Sequence, residues 1–157
     1  MVGSRHMPPG RFIAATTDTS FGPIRFVGVC VPWRDAHVRT GMRNRLSWED
    51  HRNYLTALLE VVRRLPENAI IVGDFNQRVP KRGQPLDVAE LLTFALGERF
   101  KIVTSGRIAD VDDLSIDHLA CGPDLVVKKL RGLPKTQNEI VLSDHFGLAI
   151  ELTRKCE

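Results

Sequence analysis

The sequence predicts an α/β fold in which helices pack on one face of a mixed sheet, and three observations carry that expectation. Apolar segments alternate in the order hairpin, helix, strand, helix, then further strands. Leu55, Leu58, Leu59, Val62 and Leu65 recur at helical spacing over 47–65. The run "IIVGDFNQ" at 70–77 reads as a buried strand that stops on a polar turn.

Each element follows from local chemistry. Residues 11–17 and 24–31 are rich in strand-forming side chains, and "DTSFGP" between them is a turn by composition, so the pair reads as a hairpin. The next loop carries Arg34, Arg39, Arg43 and Arg45 with His37 among them. Ser47 and Asp50 have the spacing of a capping box at the start of the 47–65 helix, Pro66 ends it, and Arg52, Thr56, Glu60, Arg63 and Arg64 form its polar face. After the 69–73 strand, Val88, Leu91, Leu92, Ala95 and Leu96 stripe a second helix from about Asp87 to Leu96, stopped by Gly97. "RFKIVT", "LSIDHLACG", "DLVVKKLRGL" and "HFGLAIEL" supply the remaining strand material.

Bulk properties narrow the classes. At 157 residues, with 43% hydrophobic and 26% charged residues, the chain has the balance of one globular domain, and no apolar run is long enough to span a membrane. Residues 1–10 read as a vector-derived or unstructured head, leaving a single domain over 11–157. Cys30, Cys121 and Cys156 are odd in number and widely spaced, which argues against a disulfide framework and for a reducing compartment, the cytoplasm by default. The 22 basic against 19 acidic residues permit a phosphate-bearing partner without requiring one.

"GDFN" is one of three polar clusters at strand edges, with "SIDHL" at 115–119 and "LSDHFG" at 142–147. Taken singly, Asp74 and Asn76 are turn formers, Asp117 a strand-end cap, and His145 a structural histidine. Together they form one polar pocket if the strand ends converge on one rim. Hard carboxylate and amide oxygens there suit Mg²⁺ or Mn²⁺ better than zinc. His118, next to Asp117, points to the opposite strand face and reads as structural.

The order "GDFN", "IDH", "SDH", with a helix before the first and a strand after the last, resembles the endonuclease/exonuclease/phosphatase superfamily over residues 11–153. The resemblance is to its C-terminal half, so it implies half of a four-layer αββα sandwich: one mainly antiparallel sheet with helices on one face. It implies a metal-dependent phosphoesterase acting on phosphodiesters, nucleic acid among them. Asp74 would orient or deprotonate the attacking water, Asn76 would hydrogen-bond a phosphate oxygen, and His145, oriented by Asp117, would contact the scissile phosphate. Asp144, Asp74 and Asn76 would hold the Mg²⁺ or Mn²⁺.

Arg34 and His37 are candidate substrate-binding residues if their loop is more than a solvated one. Trp33 is either a base-stacking or a packing residue. Many members place a histidine where Cys30 stands, and the family's first half would supply a further metal-binding glutamate. The uncovered sheet face then implies a homodimer or a first half on another polypeptide. The alternative function is a catalytically incomplete module that binds nucleic acid or protein through its arginine loop.

Overall fold

A computed structural model describes residues 6–155. Strands β1 (Phe12–Thr19) and β2 (Gly22–Cys30) form the expected antiparallel hairpin, in register from Phe12 opposite Val29 to Thr19 opposite Gly22. β2 pairs in parallel with β3 (Ala69–Asp74), which demands a crossover, and helix α1 (Glu49–Val62) supplies it. After helix α2 (Leu86–Leu96), β4 (Lys101–Ile102) and β5 (Asp117–Cys121) complete a five-stranded sheet of order β1-β2-β3-β5-β4. Every pairing but β2 with β3 is antiparallel, so the sheet is mixed and mainly antiparallel.

Side-chain alternation divides the interior in two. Ala69 and Ile71 of β3 face the helices with Val27, Val29, Leu55, Leu58 and Leu92. Ile70 and Val72 face the other way with Ile24, Phe26, Leu119 and Cys121. The helical stripes hold: α1 buries Tyr54, Leu55, Leu58 and Val62, and α2 buries Val88, Leu92, Ala95 and Leu96 before Gly97 takes a left-handed φ of 62°. Met7 is buried in the helix-side core, so packing begins before residue 11.

The start of α1 departs from the expected capping box. Trp48, not Ser47, holds the N-cap, in a left-handed conformation and without a side-chain cap. Ser47 Oγ instead donates to the buried Asp35 (2.8 Å), and Asp50 is taken by His37 and Arg45. The Leu46 amide donates to Glu49 Oε2 (2.9 Å), which fixes the turn leading into the helix.

The last strands do not extend the sheet. At Gly122–Pro123 the chain leaves it: a Cβ on Gly122 would lie 2.1 Å from the Glu67 carbonyl, and Pro123 has no amide hydrogen to continue a ladder. β6 (Leu125–Leu133) and β9 (Gly147–Arg154) pair into a separate antiparallel ribbon with a bulge between Val127 and Lys129. Leu125, Ile150 and Leu152 of this ribbon pack on the face opposite the helices, over Ile24, Ile70 and Leu119. The cover is partial, because Ile13 on the same face of edge strand β1 stays 68% exposed. A small hairpin, β7 (Thr136–Gln137) with β8 (Ile140–Val141), projects between the two ribbon strands and was not legible as strand.

Two buried histidines, one on α1 and one on β5, tie the turn after β3 to its neighbours. His51 of α1 donates from Nδ1 to the Pro32 carbonyl (2.8 Å), leaving Nε2 to accept from Gln77 Nε2 (3.1 Å). His118 of β5 donates from Nε2 to the Gln77 carbonyl (3.0 Å), and its Nδ1 accepts from Thr104 Oγ1 (2.8 Å). Burial lowers the pKa of both, that of His51 to about 4, so both stay neutral and each ring nitrogen keeps its role.

Two measurements check these supports. Gly73 has φ 141°, and a Cβ there would lie 2.0 Å from the Val29 carbonyl oxygen. Gly73→Ala should therefore destabilise by about 3 kcal/mol, a fall in melting temperature of about 6–12 °C for a domain of this size; a melt unchanged from wild type would contradict the close approach. His51 has a folded-state pKa below that of the unfolded chain, so its contribution is complete above about pH 6.5 and is lost as pH falls toward 4. Denaturant titrations across that window should show up to about 1.4 kcal/mol per pH unit from this residue, and His51→Gln should flatten the slope. An equal slope in the variant would show that His51 does not resist protonation.

Candidate active site

The site starts from strand geometry. β3 ends at Asp74 and β5 begins at Asp117, and because the strands are antiparallel the two residues are partners across the ladder. Asp117 thus opens its strand rather than ending one, and the two carboxylates share a sheet edge. Asn76 sits at φ 51° just beyond β3, a conformation that asparagine tolerates. From there its amide N–H donates to Asp74 Oδ1 (2.8 Å), while its Nδ2 donates to Asp74 Oδ2 (2.6 Å) and to the Val31 carbonyl (2.9 Å). Both side-chain N–H groups of Asn76 are therefore engaged, and its Oδ1 is the atom left to face a ligand.

His145 arrives from the other end of the chain. Its backbone amide donates to Ser143 Oγ (3.1 Å), which shapes the turn into β9, and its Nδ1 donates to Asp117 Oδ2 (2.8 Å). That bond fixes the ring and presents Nε2 outward, 3.9 Å from Asp144 Oδ2. Burial pushes the Asp74 carboxyl above its usual pKa and the negative charge of Asp117 adds to the rise. The Asn76 amide bond and the charges of His145 and Arg11 act against it.

Arg11 is the residue that sequence reasoning missed. It closes a short 3-10 turn ahead of β1, and its guanidinium donates to the Cys30 carbonyl (3.2 Å) and sulfur (3.3 Å). Cys30 is the ladder partner of Asp74, so a cation sits beside the cysteine where the family resemblance expects a histidine. The only signal was an arginine abutting a strand start, at the edge of the discarded head. Cys30 and Cys121 are free thiols, and Cys156 lies outside the described residues.

Asp74, Asn76, Asp117 and His145 are thus brought together. Asp144 is adjacent, with its Oδ2 3.9 Å from His145 Nε2 and its side chain 96% exposed. Arg34 and His37 are turned to other partners. The buried Asp35 accepts from Arg34 (3.2 Å) and Ser47 and lies 3.9 Å from Arg39, and the Ser47 bond, then these two charges, hold its carboxyl below the usual pKa. His37 Nδ1 lies 2.5 Å from Asp50 Oδ2, and Arg45 pairs with Asp50 and Glu49. The loop is internally paired, although Val31, bonded to both Asp74 and Asn76, starts it at the site.

A divalent ion is a test these residues do not pass alone. Asp74, Asn76 Oδ1 and Asp144 offer hard oxygens of the right kind. Among the described residues, however, no group of three or more His, Cys, Asp or Glu side chains is arranged to hold a metal. The residues present do not make a complete Mg²⁺ or Mn²⁺ site. No described helix is long and apolar enough to cross a membrane.

No family model matches the sequence, and no curated protein does. Solved structures match well. The endonuclease domain of TRAS1, a telomere-specific non-LTR retrotransposon, superposes with a TM-score of 0.61 at 16% identity, covering 98% of this chain and 65% of its own. An endonuclease/exonuclease/phosphatase protein from Beutenbergia cavernae gives 0.61 at 15% identity, covering 91% and 39%. D. rerio TDP2, in a complex with a single strand DNA product, gives 0.57 at 15% identity, covering 90% and 61%. The chain thus has, along nearly all of its own length, the endonuclease/exonuclease/phosphatase (deoxyribonuclease I-like) fold, and it spans less than two thirds of each of these relatives.

Proposed function

We propose that this chain is part of a divalent-metal-dependent phosphoesterase that hydrolyses phosphodiester bonds, with nucleic acid as the substrate class. The observation that carries the reading is the 2.8 Å bond from His145 to Asp117 beside the half-buried Asp74, made by residues far apart in sequence. Asp117 holds the ring with Nε2 outward, where it suits contact with a phosphate oxygen as negative charge grows on it. Asp74, with a raised pKa, suits orientation of an attacking water and acceptance of its proton. Arg11 adds a permanent positive charge on the Cys30 side of the same edge.

The divalent ion belongs to this reading only in part: Asp74, Asn76 and Asp144 offer oxygens, and the remaining ligands come from another segment of polypeptide or a second copy. The partial span of the solved relatives supports that division. A binding module working through the arginine loop is less favoured, because Arg34, Arg39 and Arg45 are tied to Asp35, Glu49 and Asp50.

Hydrolysis of bis(p-nitrophenyl) phosphate in Mg²⁺ or Mn²⁺ tests the reading. Turnover should need the ion, and His145→Ala should lower it by about 10²- to 10⁴-fold, the share typical of a positioned acid or base. Equal rates for wild type and His145→Ala would sink it, and no turnover with any divalent ion would sink the version in which a second copy of this chain completes the site.

A further inference from the structure

The largest run of exposed apolar side chains among the described residues lies next to this site and has no role in it. Ile140, Val141 and Leu142 are 64%, 72% and 61% exposed, in β8 and the residue after it. The hairpin that carries them turns through Asn138 and Glu139, at φ 49° and 65°, and is closed at its base where the Leu142 amide donates to the Lys135 carbonyl (2.7 Å). Leu142 is three residues from His145, so their Cα atoms are at most about 11 Å apart. That is about three steps along a duplex at 3.4 Å each.

We propose that the β7–β8 hairpin is a wedge for double-stranded nucleic acid, with Gln137 and Asn138 lying along a groove and Ile140 and Leu142, two residues apart and so on one side of the strand, pressing into a base step within about three of the phosphate at His145. The position of that phosphate rests on the phosphoesterase reading; the wedge itself does not. Amide side chains that reach base edges, joined to aliphatic residues that part a base step, are the combination that binds and kinks a minor groove. A two-stranded antiparallel ribbon is a known shape for groove entry. The flank suits phosphates: Lys128, Lys129, Arg131 and Lys135 precede the turn, all exposed, against Glu139 in the turn and Glu151 opposite Lys129.

The same residues argue against the other occupants. No aromatic ring lies between Leu133 and Leu142, so there is no platform on which single-stranded bases would stack. A lipid interface favours tryptophan and tyrosine and an apolar leading edge, whereas this hairpin leads with Asn138 and Glu139.

The test is binding without cleavage. The His145→Ala protein in EDTA is titrated into a fluorescein-labelled duplex with 2-aminopurine at a central step, into either strand alone, and into phosphatidylserine/phosphatidylcholine vesicles. The duplex should bind tighter than the single strands, and 2-aminopurine fluorescence should rise as its step unstacks. Adding Ile140→Ser with Leu142→Ser, both on the surface, should weaken duplex binding by about tenfold and remove the rise, while Ile140→Leu with Leu142→Ile should retain both. Duplex affinity and fluorescence that ignore the serine changes overturn the wedge, as does the absence of duplex binding at low salt. Vesicle binding that depends on these residues while duplex binding does not would assign the hairpin to a lipid surface instead. Turnover of bis(p-nitrophenyl) phosphate by wild type and His145→Ala is scored separately: a wedge with turnover that ignores His145→Ala removes the hydrolase reading alone, and His145-dependent turnover without a wedge removes this one alone.

Discussion

The antiparallel register of β3 and β5 is the constraint on which the site depends. Because the strands run in opposite directions, the last residue of one and the first of the other meet at one edge, and Asp74 faces Asp117 there. Two carboxylates about 5 Å apart repel by about 3 kcal/mol at an effective dielectric near 20. The structure answers that repulsion with the Asn76 backbone and side-chain amides on Asp74, the His145 ring on Asp117, and the nearby Arg11 charge. Each of these groups comes from a different part of the chain, so the edge also acts as the knot that gathers the head, the β3 turn and the residues before β9.

Support for that edge comes from behind it. Gly73 lets the β2 backbone pass close to β3, and the neutral pair His51 and His118 holds the turn from α1 and β5 through Gln77. The two imidazoles of this network are satisfied, with one donor and one acceptor nitrogen apiece, whereas Gln77 Oε1 is buried without a hydrogen-bond partner among the described residues. The arginine loop is organised in the same manner around Asp35 and Asp50, which makes it a scaffold for the start of α1.

Much of this was legible in the residues. Both helices and β3 follow from periodicity, because burying one stripe or one face leaves a regular mark on local sequence. Asp74, Asn76, Asp117 and His145 stood out as polar residues at strand edges, although their meeting depends on a register that no local pattern encodes. The cap of α1 was misread because Ser47 is drawn to Asp35, twelve residues earlier, in competition with the helix. The β7–β8 hairpin escaped because its strands are two residues each and its turn, Asn138–Glu139, lacks the glycine that usually announces one. Arg11 escaped because its role lies in a contact across the sheet, to the end of β2.

The β6–β9 ribbon stands alone over the sheet, each strand with one neighbour and one outer edge whose amides and carbonyls have no ladder partner among the described residues. A strand laid along such an edge is recognised by its backbone, since the hydrogen bonds that join it are the same for every side chain. Joining by the main chain would leave the side chains along both strands free to change without loss of the bonds that join them.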